Sequence, residues 1–565
     1  MEQPLEQVRH SAAHLLAHAL SELYPGTLFT IGPATETGFF YDFLPKTNLS
    51  EDDLPRIEEK MHEIEKRNLP ITHRTVSKAE ARELFKNNPF KLELIDQIEG
   101  DDIGISEQGN FYDLCRGGHV ASTGEIAHFK LLGLSGSYWR GDNSKPALQR
   151  ISGIAFLTAK ELDDFIRQRE EALKYDHRRL GKEMDLFSLK PEGPGFPFFH
   201  PKGMVIINQL KAFMRDLLLD NDYLEVSTPT ILNASLWRRS GHYTFYKENM
   251  YFTNIDNEEY VIKPMSCPGG FLIYETRPHS YRELPMRLSE FGHVHRHELS
   301  GVLHGLLRVR AFTQDDAHIL CTPEQLEGEI INVIKMVFIM LAKTGFENIK
   351  IYLATRPDNA MGDPAVWDEA IEVLKNALTR SGHSFIIKEK EGAFYGPKIE
   401  FGIEDSMGRQ WQCGTIQVDF LQPENFDLTY IASSGQKQRL VVVHHAIYGS
   451  LERFFAVLLE HYKGKLPFWL APVQARVLTI TDNEHGYATD IAKKLKKAKI
   501  RVEVDEASDP ISGKIKTAQL DRIPWMLVVG PKEAAAGTIT LRQSDGTQEF
   551  GITVDDLIAR AKELT

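Results

Sequence analysis

The sequence predicts a multidomain α+β chain: an N-terminal α/β segment, a strand-rich central segment and a C-terminal α/β segment. Three observations lead there. At 565 residues and 42% hydrophobic content, the chain can form three or more domains with ordinary cores. Two breaker-rich stretches, Pro191-Glu192-Gly193-Pro194-Gly195-Phe196-Pro197 and Pro467-Phe468-Trp469-Leu470-Ala471-Pro472, punctuate it. After the second, strand-like runs alternate with helical patterns, the rhythm of a small α/β unit.

Residues 1–157 open with a helical pattern over 8–23 and continue through strand-like and glycine-containing stretches such as Ile31-Gly32-Pro33. Residues 158–182 carry Arg167, Arg169, Glu170, Glu171 and Lys174 and read as a charged connecting helix. Residues 183–465 hold strands and long loops, with amphipathic helices near 203–220, 324–344 and 364–382. Residues 466–565 run strand 475–481, helix 487–497, strands 501–505, 525–529 and 538–542, then a closing helix. No internal repeat or low-complexity tract interrupts this order.

Composition narrows the function classes. No apolar stretch approaches the roughly 18–20 residues of a membrane span. The N-terminus lacks the basic start and apolar core of a signal peptide. Cys115, Cys267, Cys321 and Cys413 lie far apart, which fits reduced thiols in the cytoplasm rather than a disulfide framework. A net charge of −13 argues against nonspecific coating of nucleic acid, yet leaves room for a local basic surface. The expectation is a soluble, acidic, cytoplasmic protein.

Two residue sets carry metal-ligand chemistry. Cys267 lies in Pro264-Met265-Ser266-Cys267-Pro268-Gly269, His318 in Asp315-Asp316-Ala317-His318, and His444 in Val443-His444-His445-Ala446-Ile447. One thiolate and two imidazoles make a three-ligand zinc set with a fourth tetrahedral position open. From the letters alone, a free cysteine and two unrelated histidines is the commoner arrangement. The second set is tighter: His10 and His14, four apart on one helical face, with Asp113-Leu114-Cys115-Arg116-Gly117-Gly118-His119. By spacing alone it is the better zinc signature.

Phe291-Gly292-His293-Val294-His295-Arg296-His297-Glu298, a loop, then Arg308-Val309-Arg310-Ala311-Phe312 resembles the second signature motif of class II aminoacyl-tRNA synthetases. Gly449-Ser450-Leu451-Glu452-Arg453 resembles the third, and Tyr223-Leu224-Glu225-Val226-Ser227-Thr228-Pro229 the first. An isolated R-x-E is more often a surface ion pair; three motifs in the right order are not. The resemblance implies an antiparallel-sheet catalytic core that binds ATP with Mg²⁺, and a homodimer through the first motif. By the same resemblance Arg296 holds the α-phosphate, Glu298 reads the adenine amino group and Arg308 meets the γ-phosphate. Phe312 stacks on the base, and Arg453 covers its other face and touches phosphate.

With the dispersed zinc set added, the chain from about residue 5 onward resembles the bacterial threonyl-tRNA synthetases. That resemblance implies zinc, one per subunit, on Cys267, His318 and His444, binding the amino and hydroxyl groups of threonine. Met265, Asp316, Tyr395 and Gln417 would form the threonine pocket, and Gln412 and Thr415 the adjoining adenylate site. Arg296, His242, Lys398 and Arg453 are the expected catalytic set, with His242 assisting attack by the tRNA ribose hydroxyl. Such a metal rejects valine, which lacks the hydroxyl. It admits serine, because one missing methyl is worth only about 1–3 kcal/mol.

The N-terminal set is then a metal-free hydrolytic editing site for seryl-tRNA, a module that alanyl synthetases share in related form. His10, His14, Cys115 and His119 would orient substrate and water, Asp113 would support them, and Lys91 would lie near the scissile ester. The last segment resembles the class IIa anticodon-binding domain, with Glu533 and Arg542 as candidate readers. The sequence departs from the family pattern in four places. It has Gly270 for a histidine in C-P-G-H and Gly118 for the proline in C-R-G-P-H. The stretch 505–514 is acidic where the family is basic, and the sequence opens at the editing module rather than at a TGS domain. The expected function is ATP-dependent charging of threonine tRNA with removal of mischarged serine. An editing-deficient paralogue and an RNA-binding regulator on a synthetase frame are the rival readings.

Overall fold

A computed structural model of the chain describes residues 2–35, 37–142, 145–404 and 410–564. Two compact units emerge, Met1–Glu170 and Glu171–Thr565.

In the first unit the helix Glu2–Leu23 buries Ala12, Ala13, Leu15, Leu16, Ala17, Ala19 and Leu20 completely. Burial on so many sides needs several partners. It packs on the helix Leu54–Lys66 and on the strands Phe39–Leu44 and Ala147–Phe156. Those strands belong to an antiparallel four-stranded sheet with Leu28–Phe29 and His128–Tyr138 at its edges. A second antiparallel sheet, Ile71–Ser77, Asp102–Gln108 and Phe111–Leu114, delivers Asp113 and Cys115.

The second unit is organised by an eight-stranded sheet. Its order is Leu224–Glu225, Met286–His295, Ala311–Cys321, Val441–Ser450, Gln410–Asp419, Lys398–Glu404, Ile349–Ala354 and Ile386–Lys388. Pairing is antiparallel except at the two edges. Helices Pro201–Leu219, Leu326–Lys343, Pro364–Arg380 and Leu451–His461 share one core with this sheet. Side chains alternate across a strand. On Ala311–Cys321, therefore, Ala317, Ile319 and Cys321 enter the core while Gln314, Asp316 and His318 face away into a cavity.

The C-terminal part sets Ala475–Thr479 between the parallel strands Val502–Asp505 and Trp525–Val529. Ile539–Gln543 and Gln548–Ile552 extend it antiparallel.

The three expected amphipathic helices are present. The expected connecting helix is two, Ala159–Lys174 and His177–Glu183; Asp176 caps the second by accepting from the Arg178 N–H at 2.8 Å. In the C-terminal segment the helices Ile511–Leu520 and Pro531–Ala536 and the strand Gln548–Ile552 were not anticipated. Pro510 and Pro531 look like breakers, yet they stand at helix starts, where proline's missing N–H costs nothing. Among the described residues no helix is long and apolar enough to cross a membrane.

Candidate active site

Strand pairing explains how residues far apart in sequence meet. His318 and His444 are direct cross-strand partners, and Gln417 faces His444 on the next strand. Cys267 opens the helix Cys267–Tyr274, in which Phe271 packs edge-on against both imidazoles. The three side chains are buried and their ligand-type atoms lie within 4.8 Å of one another. His444 Nε2 lies 2.9 Å from Asp419 Oδ2, whereas the buried Nε2 of His318 has no hydrogen-bond partner. An orphaned buried nitrogen costs about 1–3 kcal/mol. Burial pushes the Cys267 thiol well up and holds His318 well below the usual histidine range. A neutral imidazole is the ligand form, and a buried thiolate needs a cation beside it. The orphan and the donor set both fit zinc.

These residues line a cavity of 430 Å³ that also takes in Met265, Asp316, Tyr395, Lys398 and Gln417. Tyr395 OH donates to Gln417 Oε1, and Lys398 Nζ pairs with Glu400 at 2.6 Å. Burial raises Asp316 to about 6. A neighbouring cavity of 140 Å³ is walled by Glu298, Arg308, Phe312 and Arg453. Arg296, Gln314, Gln412 and Thr415 line both. Arg296 lies 5.1 Å from the Phe312 ring centroid and donates through Nε to Pro264 O at 3.2 Å. Arg308 donates to Glu298 at 3.0 Å, and Arg453 donates to the carbonyls of Leu307 and Gln412 at 3.1 and 2.9 Å.

In the first unit the helix Glu2–Leu23 presents His10, Ser11 and His14 to Cys115 and His119. Cys115 Sγ lies 3.1 Å from His119 Nε2 and 3.6 Å from His10 Nε2. Ser11 Oγ meets His119 Nδ1 at 3.1 Å. Burial lowers His10, lowers His14 strongly and brings His119 to about 2, so all three imidazoles are neutral at pH 7. Lys91 is buried against Asp113, whose other carboxylate oxygen accepts from Tyr41 OH.

The comparisons with known proteins agree with one another. The class II tRNA synthetase core domain (G, H, P, S and T) matches residues 250–462. The anticodon binding domain matches 474–564, and the threonyl and alanyl tRNA synthetase second additional domain matches 103–152. Threonine–tRNA ligase of Carboxydothermus hydrogenoformans is 50% identical over 562 residues, spanning 98% of this chain and 88% of that one. The chain belongs to the threonyl-tRNA synthetase family. The enzyme of Clostridium tetani is 49% identical over 562 residues, spanning 99% of this chain and 88% of that one. The crystal structure of the RNA binding domain of threonyl-tRNA synthetase from Cryptosporidium parvum superposes with a TM-score of 0.67 at 42% identity. It covers 69% of this chain and 98% of that one.

His242 is fully buried behind the cavity wall, with Nε2 at 3.1 Å from Met265 Sδ and Nδ1 at 2.8 Å from Ser240 Oγ. Burial brings its pKa to about 3. Lys91 is buried, with its ammonium paired with Asp113 and 3.3 Å from Tyr41 OH. Glu533 accepts from Gly530 N and Thr540 Oγ1, both at 3.1 Å, and so ties a helix start to a strand. Arg542 keeps a buried Nε without a hydrogen-bond partner. In the stretch 505–514, Lys514 is buried with Nζ donating to Thr479 O at 3.2 Å.

Gly118 replaces the family proline with a backbone that proline cannot adopt: φ is +84° there and +95° at Gly117. Proline at 118 therefore does not fit the turn that carries His119.

Sequence reasoning missed Gln314, Tyr41 and Asp419. Gln314 had a signal, since it falls between Phe312 and Asp316 at strand period two. Tyr41 and Asp419 had none, because their importance lies in partners distant in the chain.

Proposed function

We propose that the chain is an ATP-dependent threonine–tRNA ligase that forms threonyl-adenylate, transfers threonine to its tRNA and hydrolyses seryl-tRNA. One observation carries this reading. The cavity holding Cys267, His318 and His444 shares Arg296, Gln314, Gln412 and Thr415 with the one walled by the motif arginines, so amino acid and nucleotide meet at Arg296.

In the first step the threonine carboxylate attacks the α-phosphorus and pyrophosphate leaves. Charge builds on the α-phosphoryl oxygens, where the Arg296 guanidinium stabilises it. Glu298 accepts from the adenine amino group, Arg308 takes the γ-phosphate, and Phe312 and Arg453 enclose the base. Mg²⁺ accompanies the triphosphate. Met265, Asp316, Tyr395 and Gln417 shape the amino-acid pocket, and Lys398 neutralises charge at its phosphate end. In the second step the terminal ribose hydroxyl of the tRNA attacks the adenylate carbonyl and AMP leaves. His242, buried and neutral, acts here as a positioning residue behind Met265. Cys267, His318 and His444 would hold a zinc ion, which would take the amino group of threonine and offer its side-chain hydroxyl a position that valine cannot fill.

Serine fills that position too, and the missing methyl discriminates by only about 10–200-fold. Hydrolysis of seryl-tRNA is assigned to His10, His14, Cys115 and His119. Burial displaces His10 least of the three, so its imidazole is the one placed to accept a proton from the attacking water, and Asp113 is held in place by Lys91 and Tyr41.

In domain terms, 1–157 is the editing domain, 158–182 the linker, 183–465 the catalytic domain and 466–565 the anticodon-binding domain. Of the two candidates Arg542 is kept as the anticodon contact, because both carboxylate oxygens of Glu533 already accept hydrogen bonds within the domain. The working form is a cytoplasmic homodimer joined through the segment Tyr223–Pro229. ATP–pyrophosphate exchange tests the reading: threonine and serine should support it and valine should not. Absence of threonine-dependent exchange would overturn it.

A further inference from the structure

A third cluster of ligand-type side chains, Asp176, His177 and Glu460, lies outside both sites described above, with its atoms within 4.8 Å of one another. Its chemistry is not that of a metal site, because both ring nitrogens of His177 are already committed. His177 Nδ1 lies 2.8 Å from Glu460 Oε1, and the Leu306 N–H donates to His177 Nε2 at 3.0 Å. A backbone N–H can only donate, so Nε2 must be the unprotonated nitrogen and Nδ1 carries the hydrogen that Glu460 accepts. The His177 and Glu460 side chains are 0% and 2% exposed.

The positions of the partners give this bridge a purpose. Glu460 stands in the last turn of the helix Leu451–His461, where a carboxylate opposes the helix dipole unless something compensates it. That helix also carries Arg453. Leu306 lies in the loop between the strands Met286–His295 and Ala311–Cys321. The next residue, Leu307, accepts from Arg453 Nε at 3.1 Å, and the one after it is Arg308. At Gly305 φ is +51°, and a Cβ there would lie 2.0 Å from His177 Nε2. Loop and imidazole are therefore in close contact.

We infer that His177 is a positioning residue for ATP: it fixes the base of the loop on the helix Leu451–His461 and thereby sets Arg308 and Arg453. This rests on the functional reading above. The two cationic side chains belong to the nucleotide cavity and not to the amino-acid one, so loss of the bridge should weaken ATP use selectively.

Two variants of the full chain separate positioning from bulk stability. In His177→Asn the side-chain amide stays near the Nδ1 position and can still donate to Glu460, but no acceptor reaches Leu306. In His177→Gln an acceptor returns near the Nε2 position. In threonine-dependent ATP–pyrophosphate exchange, His177→Asn should raise KM for ATP about tenfold and leave KM for threonine within about twofold. His177→Gln should bring KM for ATP back to within about threefold of the unmutated value. A merely structural histidine predicts lower melting temperatures for both variants with KM for ATP unchanged; that result overturns the inference, as does an equal rise in KM for threonine. If His177→Asn does not fold, Gly305→Ala takes its place. It pushes the loop off His177 and should show the same ATP-selective rise, and an unchanged KM there also overturns the inference. An unmutated chain without threonine-dependent exchange would instead refute the functional reading, and this inference with it.

Discussion

Asp419 aims His444. Its Oδ2 lies 2.9 Å from His444 Nε2, while its Oδ1 accepts from the N–H groups of Leu421 and Gln422 at 2.8 and 2.9 Å. The carboxylate is thus pinned by the backbone on one side and orients the imidazole on the other, leaving the second ring nitrogen for a ligand. Asp419→Asn keeps an oxygen for the backbone and presents an amide to His444. Zinc affinity should fall about 10–100-fold, read by competition with a chelator. KM for threonine should rise while KM for ATP holds. Unchanged zinc retention would show that Asp419 does not govern the ligand.

Arg296→Ala should lower threonine-dependent pyrophosphate exchange by about 10²–10³-fold or more, since a preorganised donor on a charge-developing group is worth that much. Zinc content and melting temperature should stay close to those of the unmutated chain, because the only protein hydrogen bond described for the Arg296 side chain is to Pro264 O. Near-normal exchange would remove Arg296 from the chemistry.

How far the sequence alone could go is clear from particular residues. The helices Pro201–Leu219 and Leu326–Lys343 were readable because an apolar face repeats at helical spacing over more than four turns. That Arg296, Glu298, Arg308 and Phe312 line one cavity was readable because they lie close together in sequence, which Arg453 does not. The metal set was not readable from spacing, since a cross-strand pair such as His318 and His444 is separated by however much chain the sheet topology inserts between its strands. Nor could any spacing show that Lys91 is spent on Asp113, or that Gly118 has a positive φ.

Changing His10 and Cys115 together to Ala should leave threonine charging intact, because neither residue belongs to the cavities of the second unit. Serine should then accumulate on threonine tRNA. A pocket that selects by the side-chain hydroxyl would hold it back only about 10–200-fold. Equal seryl-tRNA levels in the unmutated chain and the double variant would mean that the N-terminal site does not edit.

Gly118→Pro should damage editing rather than improve it. At φ +84° the residue lies far from the value near −65° that the pyrrolidine ring demands, so the turn bearing His119 must rewind. Seryl-tRNA hydrolysis should drop about tenfold or more, with pyrophosphate exchange unaffected. Gly118→Ala has open space for its Cβ and carries only the strain of positive φ, so it should fall between the two. Faster hydrolysis in the proline variant would show that the turn readily changes its winding.

The pairing of His318 with His444 also bears on how the second unit must assemble. A slip of one residue between Ala311–Cys321 and its neighbours would turn the cavity-facing set, Gln314, Asp316 and His318, towards the helices and expose Ala317 and Ile319 in their place. Half-correct registry therefore yields no half-working pocket. A metal bridging the two imidazoles would bind only the correctly zipped sheet, so metal capture during refolding should report alignment of the strands. Chains refolded with a chelator present should regain activity more slowly than those given zinc from the start.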